Sequence, residues 1–104
     1  MKTKLYTHDG VDRYLTFEVE SEEDLENVER FLRGSNAYLG ASDAGVVIKT
    51  KSGATLVEPG YVVVNLGATA QTPVVIGDIQ YLNAFEVFRL DRFNELFKVV
   101  TFVR

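Results

Sequence analysis

The sequence predicts an α+β domain: a strongly bent antiparallel sheet or small open barrel of six to eight short strands, with one main helix at about 21–33 and a short helix at about 92–98. Three observations predict it. Residues 45–66, GVVIKTKSGATLVEPGYVVVNL, are dense in β-branched side chains and broken by Ser52-Gly53 and Pro59-Gly60, which reads as three consecutive antiparallel strands. Residues 21–33 carry an apolar stripe at helical spacing. Six of the twelve aromatics lie between Tyr81 and Phe102, which places the heavy part of the core at that end.

Each element follows from local chemistry. Residues 3–7 and 13–20 form a hairpin across Asp9-Gly10, a dipeptide that accepts positive φ. In the second arm Leu15, Phe17 and Val19 share a core face, while Tyr14, Thr16, Glu18 and Glu20 take the water face. Ser21 opens the main helix as its cap, with Asp24 as a shortened capping-box acid. Leu25, Val28, Phe31 and Leu32 make its apolar stripe, and Glu26–Arg30 and Glu29–Arg33 are i,i+4 pairs. Gly34 stops it.

Residues 34–44 read as a loop with a short strand at 37–39. Strands follow at about 45–51, 54–58 and 61–66, with Pro59-Gly60 at the centre of a type II turn. After a second loop, 67–73, residues 74–76 form a strand. Residues 80–90 suit either a strand buried on both faces or a short helix and then a strand. Asp91 caps the short helix, whose Phe93, Leu96 and Phe97 fall at i, i+3 and i+4, and 99–103 close the chain as a strand.

A chain of 104 residues with 46% hydrophobic and 25% charged residues is one domain, large enough to bury roughly 65% of its unfolded surface. With no cysteine, disulfides, thiolate zinc sites and cysteine nucleophiles are excluded, and a reducing cytoplasm is permitted. The N-terminus, MKTKLYTHDG, lacks the apolar core of a secretory signal, and the short apolar runs give no membrane span. The expected location is the cytoplasm, with no cofactor.

The net charge of −4 is concentrated in the first third. Residues 1–33 hold nine acids against five bases; residues 34–104 hold six of each. Direct binding to a nucleic-acid backbone, which needs clustered Lys and Arg, is therefore not expected. The acidic run Glu18, Glu20, Glu22, Glu23, Glu26 and Glu29 reads either as a solvated face or as a docking face for a basic partner.

Other candidates are weighed in the same way. His8, the only histidine, stands beside Asp9 and Asp12 without metal-ligand spacing and reads as a surface turn residue. The glycines at 34, 40 and 45 follow a helix and precede a strand, so they match neither the Walker nor the dinucleotide fingerprint. They read as a plain loop or a ligand loop with Tyr38, Ser42 and Asp43. Ser42-Asp43 has no histidine partner for nucleophilic catalysis. The C-terminal aromatics lack the interleaved bases of a stacking platform and read as core.

From Ile48 onward the chain resembles small accessory proteins of tailed bacteriophages. Their module runs Ile-x-Thr-x-x-Gly, a short strand, Pro-Gly-Asp with an aromatic and two β-branched residues, a variable segment and a closing aromatic pair. Ile48, Thr50 and Gly53 match its start, Val57, Pro59, Gly60, Val62 and Val63 its middle, and Phe93 and Phe97 its end, over about half the chain. Tyr61 stands where the module has aspartate. The resemblance implies a phage origin and a scaffold without catalytic residues.

Two functions remain open. The preferred one is a non-enzymatic interaction protein, a phage-encoded inhibitor of a host protein with a basic surface, docking through the acidic face. The other is a small-ligand or nucleotide binder using loops 34–44 and 67–73. An open sheet edge also permits a homodimer by strand addition.

Overall fold

The computed structural model describes residues 3–32, 34–42 and 44–100, with the backbone alone for Thr3 and Ser42. Among these residues the chain forms β1 (Thr3–Thr7), β2 (Tyr14–Val19), α1 (Asp24–Phe31), β3 (Tyr38–Ser42), β4 (Gly45–Thr50), β5 (Gly53–Val57), β6 (Tyr61–Asn65), β7 (Val74–Ile76), β8 (Ile79–Tyr81), β9 (Phe85–Arg89), α2 (Leu90–Leu96) and β10 (Lys98–Val99). The strands make three antiparallel sheets: β10-β1-β2-β6-β9, β3-β4-β5 and β7-β8. The fold is α+β. Among the described residues none of the three sheets closes, and they hold ten strands rather than six to eight.

The reason lies in β6. Val62 and Val64 point to one face of the large sheet and Val63 to the other, and all three are fully buried. Both faces therefore need a cover. On the first, Val62, Val64, Tyr14 and Phe88 pack beneath Phe93 of α2, Phe97 and the β7–β8 hairpin. On the second, Val63, Phe17, Val19 and Phe85 pack against Val28 and Leu32 of α1 and against Val46, Ile48 and Val57 of the three-stranded sheet. The result is three layers rather than a sheet curled around one core.

This corrects two expectations. The segment 45–66 is not a three-stranded meander: β4 and β5 pair as a hairpin, while β6 joins the large sheet between β2 and β9. Pro59-Gly60 forms the expected tight turn, with the Tyr61 N–H donating to the Glu58 carbonyl at 3.2 Å and Gly60 at φ +97°. The turn carries the chain from one sheet to the other. The Gly60 N–H donates to the Val19 carbonyl at 2.8 Å and its carbonyl accepts from the Leu90 N–H at 3.0 Å, which anchors the corner. Second, Tyr14 and Thr16 are buried, not in water, because α2 and its neighbours cover that face of β2. Leu15, at the end of β2 away from α1, is 40% exposed instead.

The first hairpin stands as predicted, with β1 and β2 paired from Thr3↔Phe17 to Tyr6↔Tyr14. The Asp9 carboxylate holds its turn by accepting from the Val11 N–H at 2.8 Å and the Asp12 N–H at 2.9 Å. These two bonds favour the charged form and bring its pKa down to about 2.

Both helices are shorter or shifted. α1 begins at Asp24, because 21–23 form a preceding turn in which Ser21 contributes its carbonyl oxygen to the Asp24 N–H rather than a side-chain cap. The reach-back arm of the capping box is present: the Asp24 carboxylate accepts from the Glu20 and Ser21 N–H groups at 2.9 and 3.3 Å. Arg33 lies outside the described residues, and with it the Glu29–Arg33 pair. α2 spans Leu90–Leu96, not 92–98, because the Leu90 N–H is already held by Gly60 and Asp91 falls inside the first turn. Residues 80–90 resolve into β8 and β9, the latter buried on both faces through Phe85 and Phe88. Of the expected last strand, Lys98–Val99 pair with β1 and residues 101–104 lie outside the described residues.

Phe93 is the keystone of the first cluster: fully buried, it stacks on Phe97 with ring centroids 4.7 Å apart and meets the edge of Tyr6 at 4.7 Å. Phe93→Ala should cost about 3–5 kcal/mol in urea denaturation, whereas Glu22→Ala, fully in solvent, should stay within about 0.5 kcal/mol.

Candidate functional site

The docking set is built on α1. Its inward stripe, Asp24, Val28 and Leu32, repeats at four-residue spacing and is buried, so Glu22, Glu23, Glu26 and Glu29 are turned to solvent. Glu26 and Glu29 lie along one side of α1 at i and i+3, and Glu22 and Glu23 are exposed in the turn and cap that precede it. The Glu29 carboxylate accepts from the Tyr38 hydroxyl at 3.2 Å. Tyr38 opens β3, an edge strand that pairs with β4 on one side and with no strand on the other among the described residues. A β-bulge between Tyr38 and Gly40 leaves Leu39 unpaired and 52% exposed. A groove of about 200 Å³ runs between the end of α1 and β3, lined by Glu29, Leu32, Gly34, Ser35 and Tyr38.

The other two acids of the run do not join this face equally. Glu20 is exposed at the β2–α1 junction, beside the helix start. Glu18 is half-buried opposite Val62 and, by strand alternation, on the sheet face away from α1. The large sheet therefore stands between Glu18 and the glutamates beside α1.

The ligand loops do meet. Ser35, Asn36 and Ala37 of the first and Ala68, Thr69 and Ala70 of the second line one cleft of about 360 Å³, with Lys49 and Asn83 beside them. The residues singled out in the first loop are not its walls. Tyr38 turns to Glu29, Ser42 ends β3 opposite Gly45, and Asp43 lies outside the described residues. Lys49, the charged group of this cleft, belongs to a strand that sequence reading treated as scaffold.

His8 is not a simple surface turn residue. Its side chain is 13% exposed, stacks on Tyr14 with centroids 5.5 Å apart, and lies 3.4 Å from the Tyr14 hydroxyl and 4.0 Å from the Asp9 carboxylate. It seals the edge of the first aromatic cluster. Among the described residues no three His, Asp or Glu side chains gather as a metal-ligand group, and no helix is long and apolar enough to cross a membrane.

The polar group most out of place was missed. Glu86 stands in β9 between Phe85 and Val87 and is 4% exposed. Its carboxylate accepts from the Lys51 N–H at 2.7 Å, linking the large sheet to the β4–β5 turn of the other sheet. Burial raises its pKa; the Lys51 N–H, the Asn83 amide and the Lys51 charge oppose this without cancelling it. A lone acid in an aromatic and β-branched run, FEVF, was the available signal.

The folded state therefore holds the Glu86 proton more tightly than the unfolded chain, so this group's contribution to stability falls as pH rises through the window above its ordinary value of 4.5. In Glu86→Gln that decline should vanish while an acceptor for the Lys51 N–H remains. Glu86→Ala should lose about 1.5–3 kcal/mol, the range for a hydrogen bond to a charged group. Urea midpoints of the three proteins between pH 4 and pH 7 check both.

No protein-family model, curated protein or solved structure matches the chain.

Proposed function

We propose that this chain is a non-enzymatic protein-interaction module, a phage-encoded inhibitor of a host protein acting in the host cytoplasm, that docks a basic surface through α1 and the edge of β3. One observation carries the reading: the Tyr38–Glu29 hydrogen bond joins a row of solvated acids to an open strand edge. An extended segment added to β3 gains backbone hydrogen bonds. Its Lys and Arg side chains meet Glu22, Glu26 and Glu29, and an apolar residue meets Leu39. The acids supply steering and specificity. A second copy of this chain is the wrong occupant, because two acidic helices would then face each other. The likeness of residues 48–97 to phage accessory proteins supports the origin, and the scaffold character of that module supports a role without catalysis.

The alternative, a small-ligand or nucleotide binder, is favoured by the convergence of loops 34–37 and 68–70 on one cleft beside Lys49. A nucleotide at 100 times its dissociation constant would stabilise the fold by about 2.7 kcal/mol. A thermal-shift panel that moves with nucleotides, and no longer does so in Lys49→Ala, would favour this second reading.

For the docking face, Glu22, Glu23, Glu26 and Glu29 are replaced together by Lys and the variant is used beside the natural chain to capture partners from bacterial lysate. A partner held by the natural chain should be lost, and its association rate with the natural chain should fall steeply with added salt. Equal capture by both chains would rule out this face. Light scattering should report a monomer.

A further inference from the structure

A third cavity, of about 290 Å³, lies under the β7–β8 hairpin, apart from the docking face and from the loop cleft. Its size sits at the lower end of ligand pockets, which run roughly 300–1,000 Å³. Its floor is apolar: Ile76 and Phe88 are buried members of the first core cluster, and Leu96 of α2 packs against it. Its polar groups come from four separate elements: Lys51 from the β4–β5 turn, Tyr81 from β8, Glu86 from β9 and Arg92 from α2, with Asp78 at the rim.

Two of these groups set the chemistry. Tyr81 is 7% exposed, yet its hydroxyl has no hydrogen-bond partner among the described residues, although its ring is held edge-on to Phe88 at 6.0 Å. The hydroxyl of a largely buried tyrosine is ordinarily paired with protein or with water, and no described protein group pairs with this one. Burial raises its pKa, the Glu86 charge raises it further and the Arg92 charge lowers it, so the hydroxyl stays a proton donor between one anion and one cation. Glu86, 4% exposed, accepts from the Lys51 N–H at Oε2 and from the Asn83 amide, and a carboxylate's remaining lone pairs leave it further acceptor capacity. The Arg92 side chain, 58% exposed, is ion-paired with the Glu95 carboxylate at 2.8 Å and keeps further N–H donors, so it stands at the solvent side of the cavity.

A monoanion seated here would meet Glu86, and a monocation would meet Lys51 and Arg92. A small zwitterion finds an opposite charge for each of its own, Glu86 for its ammonium and Arg92 for its carboxylate. We propose that this cavity binds a free α-amino acid with an apolar side chain: its ammonium faces Glu86, its carboxylate faces Arg92 and the Tyr81 hydroxyl, and its side chain lies on Ile76, Phe88 and Leu96. Each ligand charge then has a charge-assisted partner in a site partly shielded from water, and the side chain is matched to an apolar floor.

The test is an NMR titration of the whole chain with free leucine and free phenylalanine at millimolar concentrations. The Lys51 amide is the reporter, because it is bonded to Glu86. Isoamylamine and 4-methylpentanoate, which are leucine without its carboxylate and without its ammonium, serve as controls. The expected result is a saturable shift of the Lys51 amide with the amino acids and binding at least about tenfold weaker for each control, the loss of one charge-assisted contact. Tyr81→Phe and Arg92→Ala, both of which leave the core intact, should each weaken the amino acid by several-fold. No saturable shift, equal binding by either control, or unchanged affinity in both variants would overturn the proposal.

Discussion

Three adjacent valines in one strand, Val62, Val63 and Val64, impose the condition that the rest of this protein satisfies. A strand whose side chains alternate cannot bury three consecutive residues against a single layer. Each buried valine is worth about 1.5–3 kcal/mol relative to exposure, so leaving either face open would forfeit a large part of a small domain's stability. α2 with the β7–β8 hairpin covers one face, and α1 with the β3–β4–β5 sheet covers the other.

Covering both faces requires the chain to change sheets, and the specific polar contacts are found where it does. The turn at Pro59-Gly60 bonds to Val19 on one side and Leu90 on the other. Glu86 reaches from the edge strand β9 to the Lys51 N–H, so a buried charge ties the two sheets in one register. Asp24 holds the passage from β2 into α1. These contacts add direction to packing that the hydrophobic effect leaves non-directional.

The same layering decides where function can reside. With both faces of the large sheet covered, the surfaces left for a partner or ligand include the outer side of α1, the open edge of β3 and the seams between layers. The acidic row and the Tyr38 edge lie on the outside; the cavity of Tyr81, Glu86 and Arg92 lies in a seam. A residue in a seam is assembled from elements distant in the chain: Lys51 and Glu86 are bonded neighbours although thirty-five positions separate them.

Local pattern alone was enough for most elements of this protein. The DG turn, the helix stripe at Val28 and Leu32, the PG turn, the Phe93–Phe97 spacing and the solvated glutamates of α1 are all set by contacts within a few residues, where periodicity and turn chemistry act. The partners of those elements were decided only by tertiary structure. Val62, Val63 and Val64 reveal a doubly buried strand only once the sheet order is known. The burial of Tyr14 follows from the aromatic cluster that covers the far face, and the separation of Glu18 from Glu22 from the packing of α1 on the opposite face of β2. Tyr81 looks like an ordinary strand residue in sequence, and Glu86 stands out only as a lone acid in FEVF. They line one cavity because the β4–β5 turn, the β7–β8 hairpin and α2 converge there, and burial by distant segments is a property that no local pattern encodes.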